Sequence, residues 1–463
     1  MEQTVATIPE SKAPSGLRVN ILSPTETLAQ SISTIAPTTT PTMTIPLVFA
    51  LAGNGTWLAY LLATVAVLLI ALCISRFARY TSCSGALYTY ATSSLPPVVS
   101  SIAGWALLLA YVATGAAVAG GFINYANVFL TVLFGRTAPT TILGLICVAA
   151  ATAIAYRDVQ VSARLMLWIE ALSVLSIAIV VILLLWHNGL HIDRPQLHLT
   201  GVSPSAVRLG VVLALFSFVG FESATTLGHE AVNPLRTIPR AVIQSAIFCG
   251  LFFILCAYVE TFGMAAAHQD LGTSTAPLSV LATLVGVRPL GPLIDFGALV
   301  SMFACTLACI TAAARVLMRM AHNGLAHHHL STAHQKNATP SSAVLLTGLF
   351  TAFPVCALAA HGISGIDIYG WMGSLSVYGF MTTYGLAAIA LPIYLKRNRT
   401  LTPGTIALSI AATVATLLAL AGTLYPVPAP PLNWLPYFYL IYLLCGIAWY
   451  LITRNRTPQL LTS

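Results

Sequence analysis

The chain has 463 residues, 57% of them hydrophobic and only 7% charged, with a mean hydropathy of +0.87. A soluble domain carries about 25% charged residues, so this composition excludes a water-covered globule and makes lipid the solvent. The formal net charge of +8 would suit nucleic acid or anionic lipid, but where the charges sit argues against nucleic acid.

Residues 1–22 are polar, with Pro14, Gly16 and scattered Ser and Thr. They lack the apolar segment of about 7–15 residues that a cleaved signal peptide needs, and a flexible cytoplasmic lead-in is expected. Apolar runs then follow at 26–52, 57–78, 97–134, 138–155, 164–187, 205–228, 238–266, 289–316, 341–361, 366–394, 404–425 and 433–453. Each is long enough to cross a hydrocarbon core of ~30 Å as a helix. Strands of a membrane barrel would need only about 10 alternating residues, and these runs are longer and apolar all round. The expectation is an all-α polytopic membrane protein of about twelve transmembrane helices.

The charges orient it. One set of loops holds Lys12, Arg18, Arg76, Arg79, Arg157, Arg164, Arg236, Arg240, Arg315, Arg319, Lys336, Lys396, Arg397, Arg399, Arg454 and Arg456, which is 16 of the 20 basic residues. The other set holds Arg136, Arg194, Arg208 and Arg288. Positive residues stay inside, so both termini are expected in the cytoplasm and the net charge is mainly a topology signal. Eight of the nine cysteines, Cys73, Cys147, Cys249, Cys256, Cys305, Cys309, Cys356 and Cys445, fall in apolar runs and read as small hydrophobes. Cys305 and Cys309 share a helix face, but no His or carboxylate nearby completes a metal site.

Two runs carry features that lipid contact does not explain. The first holds Pro37, Pro41 and Pro46 with Thr34, Thr38, Thr39, Thr40, Thr42 and Thr44. Each internal proline removes a backbone hydrogen bond at a cost of ~3 kcal/mol or more, and threonine hydroxyls can satisfy some of the freed groups. A proline-kinked packing helix is the plain reading; a helix unwound in its middle is the sharper one. The sixth run places Gly220 beside Glu222, a carboxylate midway along a span, where a charge costs at least ~2.5–3.5 kcal/mol. Its plain role is a hydrogen bond to a neighbouring helix.

These features occupy the first and sixth runs, corresponding members of two five-helix halves. Five is odd, so the second half enters the membrane inverted, the layout in which paired interrupted helices flank a midplane site. Half-helix N-termini suit a carboxylate and half-helix C-termini offer carbonyls to an ammonium group. A zwitterion such as an α-amino acid fits.

Phe218-Val219-Gly220-Phe221-Glu222 through Glu230, then Asn233-Pro234-Leu235-Arg236-Thr237-Ile238-Pro239-Arg240-Ala241, resembles the F-x-G-F-E…N-P-x-R-x-I-P-R-A signature of amino acid permeases of the APC superfamily. Ala314-Arg315-Val316-Leu317 through Asn323-Gly324-Leu325, His334 and Thr339-Pro340 is similar to a second signature, with Asn323 where Asp is usual. Ser84-Gly85-Ala86-Leu87-Tyr88-Thr89-Tyr90 looks like a third, with Ala86 for the second Gly. The likeness covers about residues 23–455.

The resemblance implies a LeuT-type fold: a ten-helix core at 23–400 in two inverted repeats with discontinuous helices 1 and 6, two peripheral helices at 401–453, and cytoplasmic tails at 1–22 and 454–463. It implies that Ile35, Ala36, Pro37, Thr38, Thr39 and Thr40 cradle the substrate carboxylate. Phe216, Ser217, Phe218, Val219, Gly220 and Phe221 would offer carbonyls to the amine, with Phe216 at an aromatic gate and Glu222 as a proton-sensitive carboxylate. Many members have a glycine-rich first break; here it is Pro-Thr-Thr-Thr-Pro. Asn233, Pro234, Arg236 and Arg240 fall in the family's inner gate. Some proton-coupled relatives have a Lys in span five where this chain has Ser173. Ser173, Ser301 and Thr306 are candidate sodium ligands or ordinary interhelical hydroxyls. Proton coupling through Glu222 is the leading expectation, with sodium and obligate exchange open.

Glu170 and Asp158, near Arg157 and Arg164, suggest an intracellular ion-pair latch or plain interfacial pairing. His322, His327, His328, His329 and His334 read as a solvated loop rather than a metal site, and Tyr425, Trp434, Tyr437 and Tyr439 as an outer aromatic belt. No P-loop, metal-ligand spacing or nucleophile–base pair stands out, so neither cofactor nor enzymatic activity is expected. The leading function is transport or exchange of a small neutral amino acid across a bacterial inner membrane. The alternatives are a cationic amino acid or polyamine carrier using Glu222, a non-transporting sensor, or a channel.

Overall fold

The computed structural model describes residues 17–81, 85–157, 159–187, 191–228, 230–334, 337–425 and 427–453. Lys12, Ser84, Asp158, Lys336, Arg454, Arg456, the C-terminal tail, most of the N-terminal tail and the side chain of Arg164 lie outside the described residues.

The chain enters α1 (Pro24–Ile35) through a reciprocal cap: Glu26 N–H donates to Ser23 Oγ at 3.2 Å, and Ser23 N–H donates to the Glu26 carboxylate at 2.8 Å. Pro24 fits the first turn because its missing N–H is not needed there. After an interruption come a π-helical turn at Thr40–Thr44 and α2 (Ile45–Ala52). Then follow α3 (Thr56–Ala78), the short α4 (Ala86–Thr92), α5 (Pro97–Phe134), α6 (Thr140–Arg157), α7 (Val159–His187), the one-turn α8 (Arg194–Leu197) and α9 (Pro204–Phe216). A 3-10 turn at Ser223–Leu227 precedes α10 (Pro234–Ala266), α11 (Pro277–Leu284), α12 (Leu290–His322), α13 (Ser341–Ala360), α14 (Gly365–Arg397), α15 (Pro403–Leu424) and α16 (Leu435–Thr453).

Ten stretches of the described residues are long and apolar enough to cross a membrane, against the twelve runs expected. The difference lies in two places. Pro24–Ala78 is one apolar stretch of 55 residues, about 82 Å as a single helix and far longer than a ~30 Å core. The chain turns within it at Gly53–Gly55, so it holds two of the expected runs. The sixth run fails the length criterion because α9 stops at Phe216 after 13 residues. The protein is an all-α polytopic membrane protein.

The packing repeats itself with the halves exchanged. α1 packs on α10 while α9 packs on α3; α5 packs on α14 while α12 packs on α7; α6 packs on α12 while α13 packs on α5. The matched helices also meet each other, α3 with α10, α5 with α12 and α6 with α13. This is the contact pattern of a pseudo-two-fold relation between inverted halves. The centre of the bundle is α5, whose buried side is a seam of Gly and Ala from Ala103 to Gly121 that lets backbones approach closely. α15 and α16 lie outside, with Leu417, Leu418, Leu444 and Ile452 exposed.

Both ends of the described chain reach one face. Leu22 pairs with Ala231 beside the lower part of α12, and Trp449 near the end of α16 donates to the Leu325 carbonyl just past α12 at 2.8 Å. We call this the termini face. Of the aromatic belt expected near the last helix, Tyr425, Trp434 and Tyr437 are exposed, but Tyr439 is buried and donates to Thr382 at 2.7 Å. Tyr439 therefore anchors α16 to α14 and is not part of a belt.

Candidate substrate site at two helix breaks

The first break begins at Ala36, whose left-handed backbone (φ +50°, ψ +68°) ends α1. Pro37 and Pro41 have no N–H, so the carbonyls of Ser33 and Pro37 lose their helical donors. Thr42 Oγ1 turns back to the Thr38 and Thr39 carbonyls at 2.9 and 3.2 Å, the compensation by threonine that the composition suggests. Higher up, Thr44 bonds Tyr369 at 2.7 Å and Tyr125 donates to the Thr42 carbonyl at 3.1 Å.

In the second break, backbone bonds from Ser217 to Thr225 all span three residues, as in Val219 N–H to Phe216 and Ser223 N–H to Gly220. Gly220 has φ +90°, and a Cβ there would lie 2.3 Å from Thr34 Cγ2. Only glycine combines that backbone with that approach. The two breaks consequently touch. Ser223 Oγ lies 2.8 Å from Thr34 Oγ1 and 3.1 Å from the Gln30 carbonyl, and Ala224 N–H donates to Ser31 Oγ at 3.1 Å.

Ile35, Ala36, Pro37, Thr38, Thr39, Thr40, Phe216, Ser217, Phe218, Val219, Gly220 and Phe221 are all buried. The Phe218 ring meets Phe253 edge-on, and the Phe221 ring lies tilted against Tyr384. Phe216 stands edge-on to Tyr369 at 5.4 Å and covers Gly373.

Two carboxylates brace this junction. Glu222, fully buried, accepts from Tyr111 of α5 at 2.7 Å and from Tyr384 of α14. Glu170 of α7 accepts from Thr38 at 3.2 Å and from Ser301 of α12. Glu170 is thus a core residue against the first break, and the ion-pair latch expected for it is overturned. The difference has a physical source: the apolar run begins at 164, whereas α7 starts at Val159. Glu170 then lies eleven residues in, about 16 Å along the helix, and an acid at that depth is the same signal that singled out Glu222. The three candidate sodium ligands each have a different neighbour. Ser301 reaches Glu170; Ser173 lies against Gly297; Thr306 donates to the Met302 carbonyl at 2.9 Å and faces Cys147 of α6.

The termini face is closed below the junction. Glu230 and Arg315 form a bidentate pair at 2.7 and 2.8 Å, both essentially buried. The Glu230 carbonyl also accepts from Ile21 and Leu22 N–H, each at 2.8 Å, and Val232 N–H returns to Leu22 at 2.9 Å. Asn233, left-handed at φ +48°, and Pro234 start α10 directly after this clasp. Arg236 and Arg240 turn instead to a groove shared with Arg79 of α3. The pair was missed because Glu230 and Arg315 are 85 residues apart; both lie within the signature motifs. Asn323 donates to Tyr88 at 3.0 Å, so the residue that departs from the second signature meets the tyrosine of the third.

On the opposite side, Glu260 of α10 is fully buried with neither oxygen bonded, and Asp295 of α12 has one oxygen unbonded. Sequence analysis passed over both, although each is an acid within an apolar run. In the loop after α12, His327, His328 and His329 are exposed with ring centroids 4.2–5.0 Å apart. Neighbouring His329 holds the His328 pKa below the usual imidazole value.

An all-helical membrane bundle with two touching helix breaks at corresponding places defines the interrupted-helix class of membrane proteins. The chain belongs to the amino acid permease family, whose model matches residues 27–462. It is similar to the branched-chain amino acid permease BcaP of Bacillus subtilis, 26% identical over 65% of this chain and 67% of that protein. It is similar to the methylthioribose transporter of the same organism, 25% identical over 75% of each chain. It also resembles human cationic amino acid transporter 4, 27% identical over 72% of this chain and 54% of that one.

Proposed function

We propose that this protein is a secondary transporter that moves a small neutral amino acid by alternating access, with both termini in the cytoplasm of a bacterial cell. The observation that carries the proposal is the contact between the two breaks. It sets the last turn of α1, where the chain enters the first break, against Gly220–Ala224 of the second. That supplies backbone polarity of both signs for a zwitterion. The break residues from Ile35 to Thr40 and from Phe216 to Phe221 carry no charged side chain, which favours a neutral substrate, and Phe216 on Tyr369 forms the outer gate.

Coupling is to protons, with Glu170 as the carrier. It is a buried carboxylate held by Thr38 of the first break and by Ser301 of α12, so its charge state acts directly on the segment that must move. Glu222 has a bracing role between α5 and α14.

A second reading has one observation in its favour. The unbonded carboxylate of Glu260, with Asp295 at a similar distance from its own helix end, suits the extra ammonium of a cationic amino acid or polyamine. Uptake into proteoliposomes under imposed proton or sodium gradients, with leucine, alanine, arginine, putrescine and methylthioribose in parallel, separates these readings. Proton-driven uptake of the neutral amino acids alone is expected. Preferential arginine uptake favours the second reading, and binding without uptake or counterflow makes the protein a sensor.

A further inference from the structure

The three arginines near the start of α10 and the end of α3 are not used by the junction or by the clasp. Arg236 and Arg240 are one turn apart on α10, and Arg79 ends α3, four residues after Ser75. Together with Leu235, Pro239, Ile243 and Gln244 they line a cavity of about 330 Å³ on the termini face. No carboxylate is among the lining residues, and the three guanidinium groups have neither a hydrogen bond nor an ion pair among the described residues. By contrast Arg76, from the same stretch of α3, is engaged by Thr405 at 2.5 Å on another face. The cavity also holds an unmet polar group: Ser75 Oγ is 1% exposed and has no hydrogen-bond partner among the described residues.

We propose that this cavity binds the phosphate of an anionic phospholipid headgroup. Guanidinium groups in a fixed fork match phosphate oxygens bidentately, three of them exceed the single charge of a phosphodiester, and the Ser75 hydroxyl gains an acceptor. The N-terminus of α10, a 33-residue helix, adds positive potential of its own.

What marks the ligand as a lipid rather than a soluble anion is the surface leading away from the cavity. On α10 the face that carries Arg236 and Arg240 continues through Ile243 to the exposed Ile247 and Leu251, and on α3 Leu72 is exposed one turn above Ser75. Charge gives way to hydrocarbon within about two turns, the profile of an amphiphile lying along two helices. Higher up the groove is shut, since Gly250 packs directly on Thr64. A lipid held here touches α10 immediately after the clasp at Glu230, so its occupancy bears on the segment that links the second break to the second half.

The test uses the full chain in detergent, with native mass spectrometry of adducts formed with phosphatidylglycerol or phosphatidylcholine of identical acyl chains. The wild type is expected to retain phosphatidylglycerol at least ten-fold better. Each arginine near a membrane surface contributes about five-fold, so Arg79→Gln, Arg236→Gln and Arg240→Gln combined should remove the preference and leave phosphatidylcholine binding as it was. If the triple variant does not fold, Gln244→Glu, which adds an acid to the lining and removes no arginine, should weaken phosphatidylglycerol retention several-fold. No headgroup preference in the wild type, or a preference that survives in the folded variants, overturns the proposal. Displacement of phosphatidylglycerol by equimolar glycerol 3-phosphate or inorganic phosphate overturns the lipid assignment in favour of a soluble anion.

Discussion

Glu230→Gln is the most direct probe of how the termini face is held shut. The Glu230 carboxylate takes both the Nε and an Nη of Arg315, at 2.7 and 2.8 Å, with the two side chains 1% and 2% exposed. Stranding one member of such a pair costs ~3–5 kcal/mol; glutamine keeps one acceptor, so the lower end applies. At 1.4 kcal/mol per decade, about 3 kcal/mol shifts an equilibrium on the order of a hundred-fold. The segment that loosens is known from the other bonds of the clasp, Ile21 and Leu22 to the Glu230 carbonyl. Behind it lies α1, where Cys305 of α12 donates to the Thr34 carbonyl at 3.1 Å. Alkylation of Cys305 by N-ethylmaleimide, followed by peptide mass spectrometry, should therefore accelerate by one to two orders of magnitude in Glu230→Gln. Cys256, equally buried but on α10 near Glu260, is the internal control. Acceleration at both cysteines means unfolding. An unchanged rate at Cys305 in a folded variant refutes the gate. Glu230→Met with Arg315→Met removes the pair without stranding a charge, and should restore slow labelling in large part.

Gly220→Ala should abolish uptake and lower the melting temperature. Its left-handed backbone costs ~1–2 kcal/mol for a residue with a Cβ, before that Cβ meets Thr34 at 2.3 Å; normal uptake by the variant refutes the tight junction. Glu222→Gln and Tyr111→Phe should each lose about 1–3 kcal/mol of stability, the cost of leaving a buried hydrogen-bonding group unsatisfied, with the ion dependence of residual transport intact. Glu170→Gln should instead make transport independent of the proton gradient while exchange persists, and a proton-driven Glu170→Gln protein would return the coupling role to another group. Glu260→Met replaces a buried, unbonded carboxylate by a side chain of similar length and should raise thermal stability by ~1–3 kcal/mol with neutral uptake unchanged. Loss of arginine uptake in that variant is the outcome that favours the cationic reading.

Most of the fold was legible because the membrane imposes it. Lipid leaves backbone groups no partner outside a helix, so apolar runs and prolines sufficed to give the helices and both breaks. What the sequence blurred were helix ends and partners. The turn at Gly53–Gly55 was marked, because Asn54 between two glycines parts the runs at 26–52 and 57–78, but the ends of longer helices carry no such mark. A shift of five residues in where α7 begins moved Glu170 from the interface to the core. Partners such as Glu230 and Arg315 come from distant segments, and spacing along one chain holds no trace of such a meeting. The glutamate that stood out by position, Glu222, has a tyrosine on each oxygen.

That contrast orders the buried acids by what surrounds them rather than by depth. Glu230 meets a guanidinium on both oxygens and is held by it. Glu222 meets two tyrosines on α5 and α14, helices that pack on each other along the bundle centre, so it ties the second break to the middle of the core. Glu170 differs in having one partner, Thr38, inside the break itself and the other, Ser301, on α12. Any rocking of the first break against α12 must stretch or release those bonds, and any change in the charge of Glu170 must alter their strength. A two-state element biased by one group's charge is what the proposed coupling requires, and among these three acids Glu170 alone bridges the first break and α12.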